Sequence, residues 1–457
     1  MPAHRVLPTG DPRRRAALEG FSARLRQMHA NGLADPGLRA HLHGRARAAK
    51  LAYFSDPARW LALLAQRLED RGVRVHFAAD AAEARSIILG ILQAAGATRV
   101  VKGKSMTCEE IGLNPALEKA GVAVSETDLG EFIIQLAEEP PFHILGPAMH
   151  RDRGQIAELF AEKLGQRVPA EPEALTALAR RVLRQRFLAA EAGISGVNAA
   201  ACEEGLLAIV TNEGNGRFVT SLPPLHIAVM GLEKAVPSLA DLGALLELLC
   251  RAAIGAPLAS YASWLLAPAG LAGAGGPRAQ HLVIVDNGRS RILAGDFWEI
   301  LLCLRCSSCL NFCPVYVMSG GHAYHSVYPG PMGSVLTALL EGQPRGLGLE
   351  HASTQCGLCK AECPMGIDLP GLLLRLRQRE APAQALLPAL AAQALSRRGL
   401  FQAACRLAPA ALVALDALPE SARPPGPWRA WRAGGRALPK FKGHTWLGRQ
   451  AREDGDG

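Results

Sequence analysis

Two runs of cysteine constrain this chain more than any other feature: Cys303-x2-Cys306-x2-Cys309-x3-Cys313-Pro314 and Cys356-x2-Cys359-x3-Cys363-Pro364. Seven of the 11 cysteines therefore fall within 61 of 457 residues. So long a chain is too poor in cysteine for a disulfide scaffold, and its start (MPAHRVLPTGDPRRR) shows no apolar core of a secretory signal. The expectation is a reducing cytoplasm, where clustered thiols bind metal. The first run has the bacterial iron–sulfur spacing, in which three close thiolates take three corners of a cubane and the fourth reaches the other cluster. That rule assigns Cys303, Cys306, Cys309 and Cys363 to one 4Fe-4S cluster and Cys313, Cys356 and Cys359 to a second. Zinc also accepts sulfur ligands, but the first run crowds a tetrahedral site, and both runs end in Cys-Pro as ferredoxin runs do.

Two fully thiolate-bound cubanes take eight protein ligands, and only seven cysteines are clustered. The position three before Cys356 is Ser353. The second cluster is then either 4Fe-4S with one iron held by Ser353, another residue, water or a partner, or 3Fe-4S. An open iron would offer Lewis-acid chemistry, and a closed cluster only electron transfer. Cys108, Cys202, Cys250 and Cys405 stand alone in apolar or capping contexts and read as core residues, although any one could supply the eighth thiolate. Between the runs, the Gly320–Gly333 segment carries His322, Tyr324, His325 and Tyr328, which read as donors to cluster sulfide, as a docking surface, or as plain loop packing.

Ahead of the cysteines, β-like runs alternate with helical patterns, as in a chain with a largely parallel sheet. The expected organisation is a helical arm over 1–71, an α/β domain over 72–294, a ferredoxin-like two-cluster module over 295–375 and a helical basic region over 376–457. Strands are expected at Val73–Ala79, Arg99–Lys102, Val122–Ser125, Leu206–Thr211, His226–Met230 and His281–Val285. Capping boxes at Asp80/Glu83 and Thr107/Glu110 should open helices to about Gly96 and Lys119, the first closing a βαβ unit, and Leu239–Ala253 reads as a further helix.

Strand Arg99–Lys102 runs into Gly103-Lys104-Ser105-Met106-Thr107, a strand-to-helix turn of the sort that holds anions. Glu126, Asp128 and Glu131 follow the next strand and should reach the same sheet edge. With Lys102 and Lys104 they form a candidate acid–base and carboxylate-binding group, against the plainer reading that Asp128 caps a helix. Asn212, Glu213, Asn215 and Arg217 occupy a polar glycine-rich turn that either completes this pocket or is only a turn. His226 reads as a satisfied core residue.

The net charge of +9 is uneven: residues 1–50 carry +7 and 371–457 carry +8, leaving −6 for the middle. Without interleaved aromatics the basic ends do not read as a nucleic-acid platform; solvated helix faces, or docking surfaces for acidic partners, are the expectation. The 26-residue uncharged stretch Ala252–Pro277 has membrane-span length, but five glycines and internal Pro257 and Pro268 mark it as a loop rather than a transmembrane helix.

The segments VVKGKSMTCEEIGLN, ETDLGEFIIQLAEEPPFHILGPAMH, TNEGNGRFVTSLPPLHIAVMG, LVIVDNGR, CLRCSSCLNFCPVY and GHAYHSVYPGPMG together closely resemble the lactate utilization protein B family, from about residue 45 to 375. The resemblance implies a cytoplasmic iron–sulfur subunit whose α/β domain, of the LUD type, is related in fold to CoA-transferase and sugar-phosphate-isomerase-like proteins. It implies action with lactate utilization proteins A and C in oxidising L-lactate to pyruvate, with the electron acceptor left open. It carries over the same cluster ligands, Cys303, Cys306, Cys309 and Cys363, then Cys313, Cys356 and Cys359, and implies that the short second motif is the family's usual form. The chain departs from the family at residues 261–270, YASWLLAPAG, where relatives tend to have Thr-Gly-Pro followed by polar and basic residues. Two alternatives remain at this stage: a relay for another 2-hydroxy acid such as glycolate, and an enzyme with its own carboxylate site in the α/β domain.

Overall fold

A computed structural model describes residues 12–266, 277–340, 348–380, 392–393 and 395–403. The chain up to Arg377 packs as one unit; residues 378–457 form another, of which only short, partly helical stretches are described. Most of the expected basic C-terminal region, and Cys405 with it, lies outside the described residues.

Among the described residues ten strands form two sheets: β1 Val73–Ala78, β2 Arg99–Lys102, β3 Ala123–Glu126, β4 Ala192–Gly196, β5 Ala199–Ala201, β6 Leu206–Thr211, β7 Leu225–Gly231, β8 Ala235–Val236, β9 Tyr261–Leu265 and β10 Ala279–Val285. The main sheet runs β1-β10-β7-β4-β2-β3, and every pairing in it is parallel. Successive side chains of a strand point to opposite faces, and a sheet covered on both sides needs apolar residues at consecutive positions. On β7, Ile227 and Val229 pack with Ile88 and Leu92 of the Ala81–Ala94 helix, while Ala228 and Met230 pack on the other face with Tyr53, Leu64 and Leu68. Both faces are therefore closed over β7.

Several expectations change. β1 and β2 are not neighbours but are separated by β10, β7 and β4, so the helix between them makes a wide crossover instead of closing a compact βαβ unit. The second helix begins at Met106, capped by Ser105 and not by Thr107, and it breaks at Gly112, whose φ of +63° is left-handed; Leu113–Lys119 is a separate helix. Leu206–Thr211 belongs to the second sheet, order β8-β5-β6-β9, where it is antiparallel to β5 and β9. The uncharged stretch from Ala252 ends one helix and supplies edge strand β9, and no described helix is long and apolar enough to cross a membrane.

The N-terminal helices Pro12–Gly32, Pro36–Ser55 and Pro57–Glu69 pack into this unit. Pro12–Gly32 lies so close to Leu239–Ile254 that a Cβ on Gly32 would stand 2.5 Å from the Arg251 carbonyl. Three basic residues expected to be solvated are instead internal ties: Arg26 donates to the Asn311 carbonyl (2.8 Å), Arg39 to Ala361 (2.9 Å) and Arg47 to Met365 (2.8 Å). His43 pairs with the Pro364 carbonyl at 2.8 Å. The start of the chain thus grips the backbone of both cysteine runs.

A buried ionic network joins the carboxyl ends of the strands to the cysteine module. Fully buried Arg289, after β10, donates to both Glu110 oxygens (2.8 and 2.7 Å) and through Nε to Glu233 (2.6 Å). Glu110 also accepts from Tyr328 (2.7 Å) and Asn287 (2.8 Å), and Glu233 pairs with Arg305 at 3.4 Å. Burial alone would raise Glu233, but Arg289 and Arg305 outweigh it and hold the carboxyl at about 2. Removing one partner strands the other charges in a dry interior. Arg289→Met should therefore cost about 3–5 kcal/mol, and Arg289→Lys, which loses the fork, should recover only part, as read by denaturant unfolding of the full chain.

Candidate functional site

The four cysteines assigned to one cluster by spacing line a single cavity. Cys303, Cys306, Cys309 and Cys363 share its wall with Arg305, Met332, Met365 and Ile367. The Ser307 N-cap of the short Ser308–Asn311 helix is in the left-handed region (φ +64°), as is Arg305 (φ +64°), so the chain between the thiols curls to turn them toward one space. Arg305 N–H points at Cys303 Sγ (3.4 Å) and Ser308 Oγ lies 3.3 Å from Cys306 Sγ. Backbone N–H groups of Met332, Met365 and Ile367 reach Cys309 and Cys363. Such donors stabilise sulfur that carries negative charge.

Cys313, Cys356 and Cys359 form the second set. Burial raises the Cys313 thiol, with Cys356 adding to the rise, and burial pushes Cys359 up to about 12, with Cys313 and Cys356 adding. Cys306 and Cys363 are likewise pushed up by burial, to about 11 and about 12, and in each the nearest charges that add to the shift include members of its own set. A high thiol pKa does not itself mark a ligand, because burial also raises Cys108 to about 11 and Cys202 to about 12. Mutual proximity does. Cys108 and Cys202 belong to the apolar clusters of the α/β domain, and Cys250 lies on Leu239–Ile254. Among the described residues no three His, Cys, Asp or Glu side chains converge on a point as a single ion would need; four thiols surround a cavity instead.

Of the residues singled out between the runs, Tyr328 reaches the strand-end network. His322 bonds the Pro140 carbonyl (2.9 Å) and packs on Phe142, and Tyr324 packs on Tyr316 near Cys313. Ser353 Oγ accepts from Gln355 N–H at 3.1 Å, in a partly exposed turn.

A larger pocket, about 310 Å³, opens at the carboxyl ends of β2, β4 and β7, where open parallel sheets bind ligands. It gathers Lys104, Asp128, Asn212, Glu213 and Asn215, as the sequence suggested, with Asn198 and Lys234, which it did not. Arg217 is not among its walls and stacks on Tyr261. Lys102, Glu126 and Glu131 also do not line it. Lys102 lies directly opposite Glu126 in the β2–β3 register and is buried between Glu126 (2.8 Å) and Glu109 (2.9 Å). Burial would lower Lys102, but the two carboxylates outweigh it and keep it charged. Glu131 is buried and pushed up to about 8 by desolvation. Sequence places a residue at a sheet edge but not on a face of the sheet, and these three side chains face away from the opening. His226 is a satisfied core residue, 2.9 Å from Ser195 Oγ.

One strip of chain separates the two cavities: Leu304 and Arg305 line both.

A parallel-sheet domain fused to this set of thiols defines an iron–sulfur electron-transport protein. Residues 61–285 match the LUD domain family and 299–367 the 4Fe-4S dicluster domain. The chain is 39% identical to lactate utilization protein B of Bacillus velezensis over 92% of this chain and 90% of that one. It is 49% identical to that of Oceanobacillus iheyensis (70% and 67%), and 46% to the uncharacterized electron transport protein YkgF of Escherichia coli K12 (70% and 67%). It belongs to the lactate utilization protein B family. A DUF162 family protein from Deinococcus radiodurans aligns over 50% of this chain and 98% of its own at 16% identity, with a TM-score of only 0.29.

Iron analysis should separate ligands from bystanders: Cys306→Ala and Cys359→Ala should each lower bound iron by about three to four atoms per chain, while Cys108→Ala and Cys202→Ala leave it unchanged.

Proposed function

We propose that this protein is the iron–sulfur electron-transfer subunit of a cytoplasmic complex that oxidises L-lactate to pyruvate together with lactate utilization proteins A and C. The observation that carries the reading is the convergence of Cys303, Cys306, Cys309 and Cys363 on one cavity, with a separate set of Cys313, Cys356 and Cys359, each set taking one cysteine from the other's run. Bound there, 4Fe-4S clusters supply single-electron transfer. The protein's own part is to present thiolates, to aim N–H groups at sulfur and to keep Arg305, a fixed cation, beside Cys303. The module's cysteine loops are held by carbonyl-directed bonds from the N-terminal helices, so the ligand geometry is set in advance. Exposed Cys356 places the second set toward solvent, where a partner or acceptor can approach.

In this reading the count of seven thiols leaves one iron of the second cluster to Ser353, another residue, water or a partner, or makes that cluster 3Fe-4S. Kinship of the α/β domain with CoA-transferase and isomerase-like folds belongs to the same reading.

Three measurements test it. Anaerobic protein should hold about eight irons per chain, or about seven with a three-iron second cluster, and zinc in their place would overturn the assignment. Cluster-loaded protein alone, given L-lactate and an artificial acceptor, should show no turnover until partner proteins are added; turnover without them would refute a pure relay. Growth of a deletion strain on lactate and on glycolate identifies the acid served.

A further inference from the structure

The pocket at the strand ends has a charge pattern that selects a ligand. Lys104, Lys234 and Arg305 face Asp128, Glu213 and Glu233 across it. Most of these groups are engaged within the protein. Lys104 donates to the Leu145 carbonyl (3.1 Å) and Arg305 pairs with Glu233 (3.4 Å). Asp128 accepts from Glu131 N–H and Glu213 from Leu129 N–H, each at 3.1 Å. Lys234 differs, since among the described residues it has neither an ion-pair nor a hydrogen-bond partner.

Two amides complete the polar wall. Asn198 Oδ1 accepts from Val210 N–H (3.0 Å) and Asn212 Oδ1 from Ser260 N–H (3.1 Å). Those bonds fix which end of each amide is oxygen and leave both NH₂ groups as donors at the pocket. The six charges cancel, and Lys234 with the two amide donors suits a single carboxylate, whereas a dianion would set a second negative charge against three carboxylates. Leu249, Ile254 and Leu304 are among its apolar lining residues and leave room for an alkyl tail.

We infer that this pocket is a binding site for a small monocarboxylate of the 2-hydroxy-acid or 2-oxo-acid class, with Lys234 as its counter-ion and the Asn198 and Asn212 amides as its donors. The inference deepens the proposed function and depends on the cluster assignment only for its second readout. Because Leu304 and Arg305 are shared with the cysteine cavity, a bound anion lies one residue layer from the first cluster site. Occupancy is therefore felt at the cluster as a change of local charge.

The test is calorimetry on full-length, cluster-loaded protein under anaerobic conditions, with L-lactate, pyruvate and inorganic phosphate as probes. Saturable binding of lactate or pyruvate is expected, with phosphate at least about tenfold weaker. Lys234→Met should weaken carboxylate binding by about tenfold or more, with iron content and far-ultraviolet circular dichroism unchanged. Asn212→Asp, which sets a carboxylate at the same wall, should weaken it in the same direction and serves if Lys234→Met does not fold. The electron paramagnetic resonance signal of the reduced first cluster should shift on adding the bound acid. No saturable binding, undiminished binding in Lys234→Met, or phosphate bound as tightly as the acids would overturn the inference. Iron and sulfide content decides the relay reading separately, so either can fail alone.

Discussion

The bidentate pairing of Arg289 with Glu110, extended through Glu233 to Arg305 and through Tyr328 to the glycine-rich segment, is the contact on which the rest of the architecture depends. Its members follow β2, β7 and β10 or come from the cysteine module, so a single set of charges fixes the strand ends and the module together. A buried ion pair contributes little net stability compared with apolar packing, because desolvation offsets the attraction. Its value is discrimination: any other docking of the module leaves unpaired charge in a dry interior. The geometry of the pocket follows, since Arg305 can serve as a wall between pocket and thiols only while Glu233 holds it.

The thiols obey a related constraint. Burial raises the pKa of Cys306, Cys309, Cys313, Cys359 and Cys363 as it does that of Cys108, and what distinguishes the seven from the lone cysteines is position relative to one another. Backbone N–H groups supply most of the polarity directed at sulfur. That polarity is set by main-chain shape, and left-handed Arg305 and Ser307 are part of it. Arg26, Arg39, Arg47 and His43 in turn bond carbonyls of the same segments, and the Pro364–Met365 peptide, held by His43 on its oxygen side, turns its N–H to Cys363.

The cysteine grouping was legible because cluster ligation imposes a spacing that no other local structure requires. The parallel sheet was legible as apolar runs at His226–Met230 and His281–Val285, but its strand order was not, because insertion of β10 between β1 and β7 depends on packing far along the chain. Lys102, Glu126 and Glu131 looked like a pocket group for the same reason Lys104 and Asp128 did: all lie near the carboxyl edge. Only the structure shows that the first three are turned into the protein, where Lys102 and Glu126 neutralise each other across two strands. Lys234 had no signal in sequence beyond being a lysine after an apolar strand. Arg14, Arg15, Arg24 and Arg45 of the basic N-terminus are exposed as expected, but a formal charge count cannot see that Arg39 bonds a carbonyl oxygen 322 residues away.

That last separation has a temporal meaning. During synthesis the helices that grip the cysteine loops emerge first, and the loops they grip emerge after most of the chain has been made. The first helices must wait, their guanidinium groups hydrated, until the second cysteine run leaves the ribosome. Closure of these helices on the second cysteine run therefore follows the emergence of that run. A detached cysteine segment would have the thiols but not the groups that hold its backbone in place.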